Sequence, residues 1–238
     1  MAPSVNILGS FFPAWLIRVV VDPVHVFHGT SFARRLAPML VGVLAYTATF
    51  SPPTRAAESP RAVVDATTSS VIATLADTSL PMSEKRRRVE EIVYARVDFD
   101  TLSHLVLGQR WNQLNEAQRG EFEREFKQSI SATYGRNVES YENERITIVD
   151  DRQEPRGDWT VRTKIVRHGS DDISVDYRLR ETDGTWKIID VTIEGLSLAS
   201  NYRSQFQEIM ANGGIDHLLT ILREKNAREA PLLARKGT

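Results

Sequence analysis

Apolar residues recur at helical spacing in the segment that follows Ser59, and their spacing predicts four helices before residue 135. We place these helices over residues 59–78, 84–97, 101–107 and 115–134. In the last of them, large apolar side chains fall at steps of four residues and form one aromatic-rich stripe: Phe122, Phe126, Ile130 and Tyr134. This part of the chain is therefore predicted to be helical and amphipathic.

The period of the pattern changes from 3.6 to 2 after residue 145, which predicts β-strands. Four segments alternate in this way, over residues 146–149, 161–165, 173–180 and 186–194. In the third segment, over residues 173–180, apolar and polar residues alternate strictly. This predicts that one face of the sheet is covered by other elements and the other face is exposed to solvent. Asp183-Gly184 is typical of a hairpin turn. Short turns without intervening helices predict an antiparallel sheet and exclude a parallel, doubly wound one.

Two further helices are predicted after the last strand. Leu198, Tyr202, Phe206 and Ile209 form the stripe of the first, Gly213-Gly214 breaks it, and a short helix then runs to about Asn226. Residues 227–238 are predicted to be a frayed tail. The predicted fold is an α+β domain over residues 58–226, in which helices pack on one face of a four-stranded antiparallel sheet. Such a curled sheet either packs solid against its helices or leaves a cavity.

Composition and charge narrow the functional classes. The chain has 238 residues, 41% hydrophobic and 26% charged, which excludes a disordered chain and a multi-span membrane protein. The net charge of −1 gives no electrostatic reason to expect nucleic acid as a partner. The absence of cysteine excludes disulfides and thiolate metal sites. The one dense basic run, over 85–88, is either a solvated helix face or a dock for anionic headgroups or an acidic partner.

Residues 1–57 are predicted to form a signal or leader segment. Arg34-Arg35 precedes an apolar run over 36–50, and small residues follow at Ala56-Ala57, which together are the parts of a secretory signal. A single anchoring helix is the alternative, although a run of this length spans a bilayer poorly. Because residues 1–33 are too long for the basic region of a signal, we hypothesise that translation begins near Val24 or Val26.

Side chains suited to acid–base or metal chemistry are few. The candidates are Asp98, Asp100, His104, Asp190 and Glu194. Asp98 and Asp100 have the chemistry to bind a metal ion, but a turn at Asp98 and a helix cap at Asp100 explain them better. We therefore predict no metal site.

The segment Gly195-Leu196-Ser197-Leu198-Ala199 resembles a hydrolase nucleophile elbow without its last glycine. The simpler interpretation is that Ser197 or Ser200 caps the helix that follows. The apolar stripes are the stronger feature, because several two-sided apolar elements with few orienting polar groups fit an apolar cavity.

Four segments in a fixed order resemble one known family. The first places Trp111, Leu114, Gln118, Phe122 and Phe126 in a W-x-x-L-x-x-x-Q-x-x-x-F-x-x-x-F pattern. The others are Val175-Asp176-Tyr177-Arg178-Leu179, Trp186-Lys187-Ile188-Ile189-Asp190-Val191, and Ile193-Glu194-Gly195-Leu196-Ser197-Leu198 with Asn201-Tyr202-Arg203-Ser204-Gln205-Phe206. Over residues 62–226 the chain is similar to the MlaC family, also called the toluene-tolerance auxiliary proteins. It departs from the pattern at its extended N-terminus and at Leu196, where a smaller valine is expected.

The resemblance implies a periplasmic phospholipid carrier that is not an enzyme. Members of the family move lipid between an outer-membrane lipoprotein–porin complex and an inner-membrane ABC transporter with an MCE-domain subunit, which maintains outer-membrane asymmetry. The implied fold is related to the NTF2-like cone, with acyl chains between sheet and helices. No cofactor is implied, because the phospholipid is cargo. A related subgroup is linked to hopanoids, so a hopanoid-associated carrier is an alternative.

We predict that twelve apolar and aromatic residues supply the cavity wall: Trp111, Phe122, Phe126, Ile130, Tyr134, Val175, Tyr177, Leu179, Val191, Ile193, Tyr202 and Phe206. Arg203 is predicted either to lie at the mouth or on a partner surface, or to form a structural ion pair. Two other functions stay open. One is an NTF2-like enzyme with an acid–base pair such as Asp190 and Tyr177, and the other is a structural adaptor with a solid core.

Overall fold

The computed structural model describes residues 58–167 and 170–235, so the predicted leader lies outside the described residues. Five α-helices are present in the described part of the chain: α1 (Pro60–Ala76), α2 (Met82–Arg96), α3 (Phe99–Leu107), α4 (Glu116–Tyr134) and α5 (Leu198–Arg235). Short 3₁₀ segments occupy Gly108–Gln113, Gly135–Ser140 and Pro155–Gly157. The strands are β1 (Arg145–Gln153), β2 (Trp159–Val166), β3 (Ile173–Thr182), β4 (Thr185–Ile193) and β5 (Leu196–Ser197).

Side-chain caps explain where three of the helices begin. The Ser59 hydroxyl accepts a hydrogen bond from the Ala62 amide before α1. The Asp98 carboxylate accepts from the Thr101 amide before α3, so Asp98, rather than Asp100 as predicted, is the cap. Asn115 and Gln118 form a reciprocal capping box at the start of α4.

The sheet is antiparallel throughout, in the order β1-β2-β3-β4-β5. The prediction of four strands was wrong by one. Glu194 and Gly195 both have positive φ, of 49° and 79°, and turn the chain back so that Leu196 and Ser197 pair with the end of β4. A strand of two residues has no periodicity by which sequence could identify it. The NTF2-like cone stays a prediction.

Helix α5 is kinked where the glycine pair predicted a break. Gly214 has φ 69° and ψ −165°, which is outside helical geometry and disfavoured for residues with a Cβ atom. Beyond the kink the helix continues to Arg235, so residues 227–235 are helical where a frayed tail was predicted. Among the described residues, no helix combines the length and the apolarity needed to cross a membrane.

Two hydrophobic clusters hold the domain together. The larger joins α3, α4 and α5, and its centre is the set of fully buried rings of Phe122, Phe126 and Phe206. The smaller joins α1 to the inner face of the sheet through Val63, Val64 and residues of β2, β3 and β4. Helices therefore cover one face of the sheet, as predicted, and the space between the two clusters is where the candidate site lies.

Candidate ligand-binding cavity

A cavity of about 350 Å³ separates the sheet from the helices. Its volume falls within the usual range for ligand pockets, about 300–1,000 Å³. Strands β1, β3 and β4 form one wall, and all five helices contribute to the other. The sequence left open whether the curled sheet packs solid against its helices or leaves a cavity. The structure contains the cavity.

Seven of the twelve predicted wall residues line this cavity: Phe126, Ile130, Tyr134, Tyr177, Val191, Ile193 and Tyr202. They come from α4, α5, β3 and β4, which the chain separates by up to 76 positions and the fold brings together. Contact between any of them and a ligand stays a prediction.

The other five predicted wall residues lie outside the cavity. Trp111, Phe122 and Phe206 pack in the helical cluster, where the rings of Phe122 and Phe206 meet edge to face with centroids 5.8 Å apart. Leu179 belongs to the cluster under α1, and Val175 is buried in β3. On α4, the rotation of the residues about the helix axis explains why Phe122 lies outside the cavity. Four residues turn the helix by about 40° more than one full turn, so the stripe rotates from the helical core at Phe122 to the cavity at Tyr134.

Thirteen further residues that the structure describes line the cavity and were not predicted: Thr67, Thr68, Val71, Val89, Val93, Val97, Phe99, Leu102, Ile146, Ile188, Ile189, Asp190 and Leu198. Most of those on α1 and α2 are small β-branched residues, and Val71, Val89 and Val93 are only half-buried. On α2, their signal in the sequence was an apolar stripe on an otherwise charged helix. Nothing local showed that this stripe faces empty space rather than a packed neighbour.

Most polar groups on the wall are engaged within the protein. The hydroxyls of Thr67 and Thr68 donate to the carbonyls of Val63 and Val64, one turn earlier in α1. Tyr202 and Tyr134 are hydrogen-bonded to each other, and burial raises the pKa of Tyr202 to about 12. Burial also raises the pKa of Tyr134 well above its ordinary value. Among the described residues, no lysine or arginine lines the cavity, so the wall suits a neutral, apolar occupant.

Of the lining residues that the structure describes, Asp190 is the one that carries a charge, and its carboxylate caps α5. It accepts hydrogen bonds from the Ser197 hydroxyl at 2.6 Å, the Ala199 amide at 3.0 Å and the Val191 amide at 2.9 Å. The Ser197 hydroxyl in turn accepts from the Ser200 amide at 3.1 Å. Capping by Ser197 was the simpler of the two interpretations of this segment, and it is confirmed.

Arg203 does not line the cavity. Its guanidinium donates two hydrogen bonds to the Leu105 carbonyl near the end of α3, one of them over 2.6 Å. This links α5 to α3, so the side chain has a structural role, although its partner is a carbonyl and not the predicted carboxylate.

The other candidate residues also have structural partners. The basic run on α2 is paired: Lys85 donates to the Leu75 carbonyl, Arg86 is buried against Glu139, and Arg87 and Arg88 pair with Glu84. Burial of Arg86 shows that the run is not simply a solvated helix face.

The two remaining acid–base candidates also have structural partners. The His104 ring packs against the Trp111 ring, and the Glu194 carboxylate accepts a hydrogen bond from the Ser174 amide. Within the described ranges, no group of three potential metal ligands comes together.

Comparison with known proteins gives concordant results. The family model for the MlaC protein matches residues 65–224. The toluene tolerance protein Ttg2D of Pseudomonas putida is 25% identical over 180 residues, which is 74% of this chain and 84% of that protein. The fold is similar to that of a phospholipid-binding protein from Ralstonia solanacearum, solved in complex with a phospholipid. The TM-score is 0.65 and the identity 26%, over 71% of this chain and 98% of that one.

Proposed function

The chain belongs to the MlaC family, and we propose that it is a phospholipid carrier of the periplasm. In this proposal it moves lipid between an outer-membrane lipoprotein–porin complex and an inner-membrane ABC transporter with an MCE-domain subunit, and so maintains outer-membrane asymmetry. The phospholipid-bound relative from Ralstonia solanacearum supports the choice of cargo.

The observation that carries the proposal is the cavity between sheet and helices, with its apolar wall. Two acyl chains contain about 30 methylene groups, and exposing them to water costs on the order of 20 kcal/mol at ~0.8 kcal/mol each. Free diffusion of such a lipid through water is therefore very slow. A carrier needs a wall about as apolar as a membrane, so that transfer at each end is close to balanced. Side chains such as Val93, Ile130 and Val191 supply that wall.

The charge distribution sets the orientation of the lipid. Within the described part of the chain, the wall holds no cation to pair with a phosphate, and its one charged residue, Asp190, is an anion. Burying an unpaired phosphate there would cost several kcal/mol. We therefore infer that the acyl chains enter the cavity and that the headgroup stays in water at its mouth.

Export of the protein rests on the predicted leader. Expression of the full chain in a Gram-negative host, followed by fractionation and N-terminal peptide mapping, tests this part of the proposal. We expect a periplasmic protein whose N-terminus lies close to Glu58. Recovery of the intact chain in the cytoplasm would contradict it.

Lipid transfer between vesicles tests the carrier activity. The protein is mixed with donor vesicles that contain a self-quenched fluorescent phospholipid and with unlabelled acceptor vesicles, and the rise in fluorescence is followed. Val191→Trp fills the cavity from the sheet side and is expected to abolish transfer. The matched control is Val149→Trp, because Val149 is a strand residue that is 53% exposed and does not line the cavity.

A second variant guards against misfolding. Val93→Phe fills the same space from α2, and circular dichroism checks the fold of each protein. The proposal predicts that both cavity variants lose transfer and that the control keeps it. Transfer by the wild type no faster than the spontaneous rate would overturn it.

A further inference from the structure

Among the described residues that line the cavity, one polar group has no hydrogen-bond partner: the hydroxyl of Tyr177. Tyr177 lies on β3, a central strand, and its register neighbours are Val161 and Val191. It lines the cavity, and among the described residues no donor or acceptor is hydrogen-bonded to its hydroxyl. Burial alone raises the pKa of Tyr177 to about 12. The other described polar side chains on the wall, those of Thr67, Thr68, Tyr134, Asp190 and Tyr202, are all hydrogen-bonded within the protein.

Tyr177 is half-buried, and its hydroxyl is not enclosed by protein, so solvent can reach it while the cavity is empty. A ligand that displaces this solvent must supply an acceptor or leave the hydroxyl unpaired, which is costly. Phenylalanine would fill the same position on the strand without placing a donor in the cavity. The hydroxyl therefore points to a hydrogen-bond acceptor that arrives with the ligand. This inference rests on the proposed carrier function.

The chemistry of the wall defines that acceptor. Among the described lining residues there is no cation to pair with a buried phosphate or free carboxylate, and the same wall carries the Asp190 carboxylate, which disfavours any anion. The acceptor is then a neutral oxygen that lies deeper than the headgroup. In a glycerophospholipid, the ester carbonyls that join the acyl chains to glycerol meet both conditions.

We propose that the Tyr177 hydroxyl donates a hydrogen bond to an ester carbonyl of the bound lipid, and so makes the carrier selective for ester-linked glycerolipids. A terpenoid such as a hopanoid hydrocarbon has no ester and would leave the hydroxyl unpaired. An ether-linked lipid has the same shape but a much weaker acceptor. Tyr177 is thus a specificity residue within an otherwise apolar wall.

Competition between two lipids tests the proposal. The full-chain protein is incubated with phosphatidylcholine vesicles that contain equal amounts of diacyl and dialkyl lipid with the same chain lengths. The protein is re-isolated, and mass spectrometry gives the ratio of the two bound lipids. The wild type is expected to favour the diacyl lipid by about three- to tenfold, the ratio of binding constants that one neutral hydrogen bond supplies.

Two variants complete the design. Tyr177→Phe is expected to take up both lipids with a ratio close to one, and to unfold at the same or a higher temperature, because it loses no hydrogen bond within the protein. Tyr141→Phe is the matched control, since its hydroxyl is also unpartnered but Tyr141 does not line the cavity. It should keep the wild-type ratio.

The outcomes separate this proposal from the carrier function itself. A wild type that binds both lipids equally, or a Tyr177→Phe protein that keeps the preference, overturns the role of Tyr177 alone. A wild type that takes up neither lipid overturns the carrier function, and this proposal with it.

Discussion

Replacing Asp190 with alanine separates a structural carboxylate from a catalytic one. In the structure, this side chain accepts three hydrogen bonds at the point where β4 and β5 lead into α5. In an enzyme of this fold, a carboxylate on the cavity wall would be the natural general base. In the carrier proposed here, the Asp190 carboxylate instead caps α5, the helix that carries Tyr202 and Phe206.

The expected loss of stability follows from those three bonds. Loss of the helix cap costs about 1 kcal/mol, and each further donor left without a partner adds about 1 kcal/mol. Asp190→Ala should therefore lower the free energy of unfolding by roughly 3 kcal/mol. For a domain of this size, that corresponds to a fall in the melting temperature of about 6–12 °C. Asp190→Asn keeps one carbonyl oxygen as acceptor and should lose only about 1 kcal/mol.

Thermal unfolding by circular dichroism gives the stability, and mass spectrometry of the re-isolated protein gives the lipid load. Both variants should retain lipid at temperatures below their melting points. Ser197→Ala removes one of the three donors and is expected to cost about 1 kcal/mol. The reasoning is refuted if Asp190→Ala has the same melting temperature as the wild type. It is also refuted if a fully folded Asp190→Asn protein no longer binds lipid.

Three further predictions concern the fold. Phe206→Ala should lower the unfolding free energy by about 3–5 kcal/mol in urea, because it empties the centre of the helical cluster; a loss below about 1 kcal/mol would contradict this. Gly214→Ala should cost about 1–3 kcal/mol, since its φ of 69° strains any other residue, and an unchanged melting temperature would contradict it. Burial disfavours ionised Asp158, but hydrogen bonds from Arg180 and Arg178 outweigh it and lower its pKa from 3.8. Its stabilisation is therefore complete above the ordinary aspartate pKa and is lost as pH falls through the lower folded value. The stability difference between the wild type and Asp158→Asn should be constant from about pH 7 to pH 5 and should shrink below about pH 4; a constant difference at acid pH would refute the pairing.

The sequence was sufficient for the elements that repeat a simple period. The start of α4 at Asn115, the two-faced alternation of β3 and the glycine pair in α5 could all be predicted, because each signal is local. The covered face of the sheet followed from the same alternation. Strand β5 was not readable, because two residues carry no period.

Membership of the cavity was less predictable, for reasons of geometry. Phe122 and Tyr134 lie on one sequence stripe, yet they face different surroundings because the stripe rotates along α4. The half-buried valines of α2 look like ordinary core positions until the facing sheet is in place. The partner of Arg203 is a backbone carbonyl 98 positions away, which no side-chain pattern indicates.

The central claim is that the cavity holds lipid, and the lipid content of the purified protein tests it most directly. The full chain is expressed in a Gram-negative host and purified without detergent, and native and denaturing mass spectra are compared before solvent extraction of the adduct. The account predicts a stoichiometric adduct with the mass of a phospholipid, which denaturation releases. An adduct of hopanoid mass would keep a carrier but contradict the proposed cargo. A protein that is bare as purified, and still bare after incubation with phospholipid vesicles, would contradict the account.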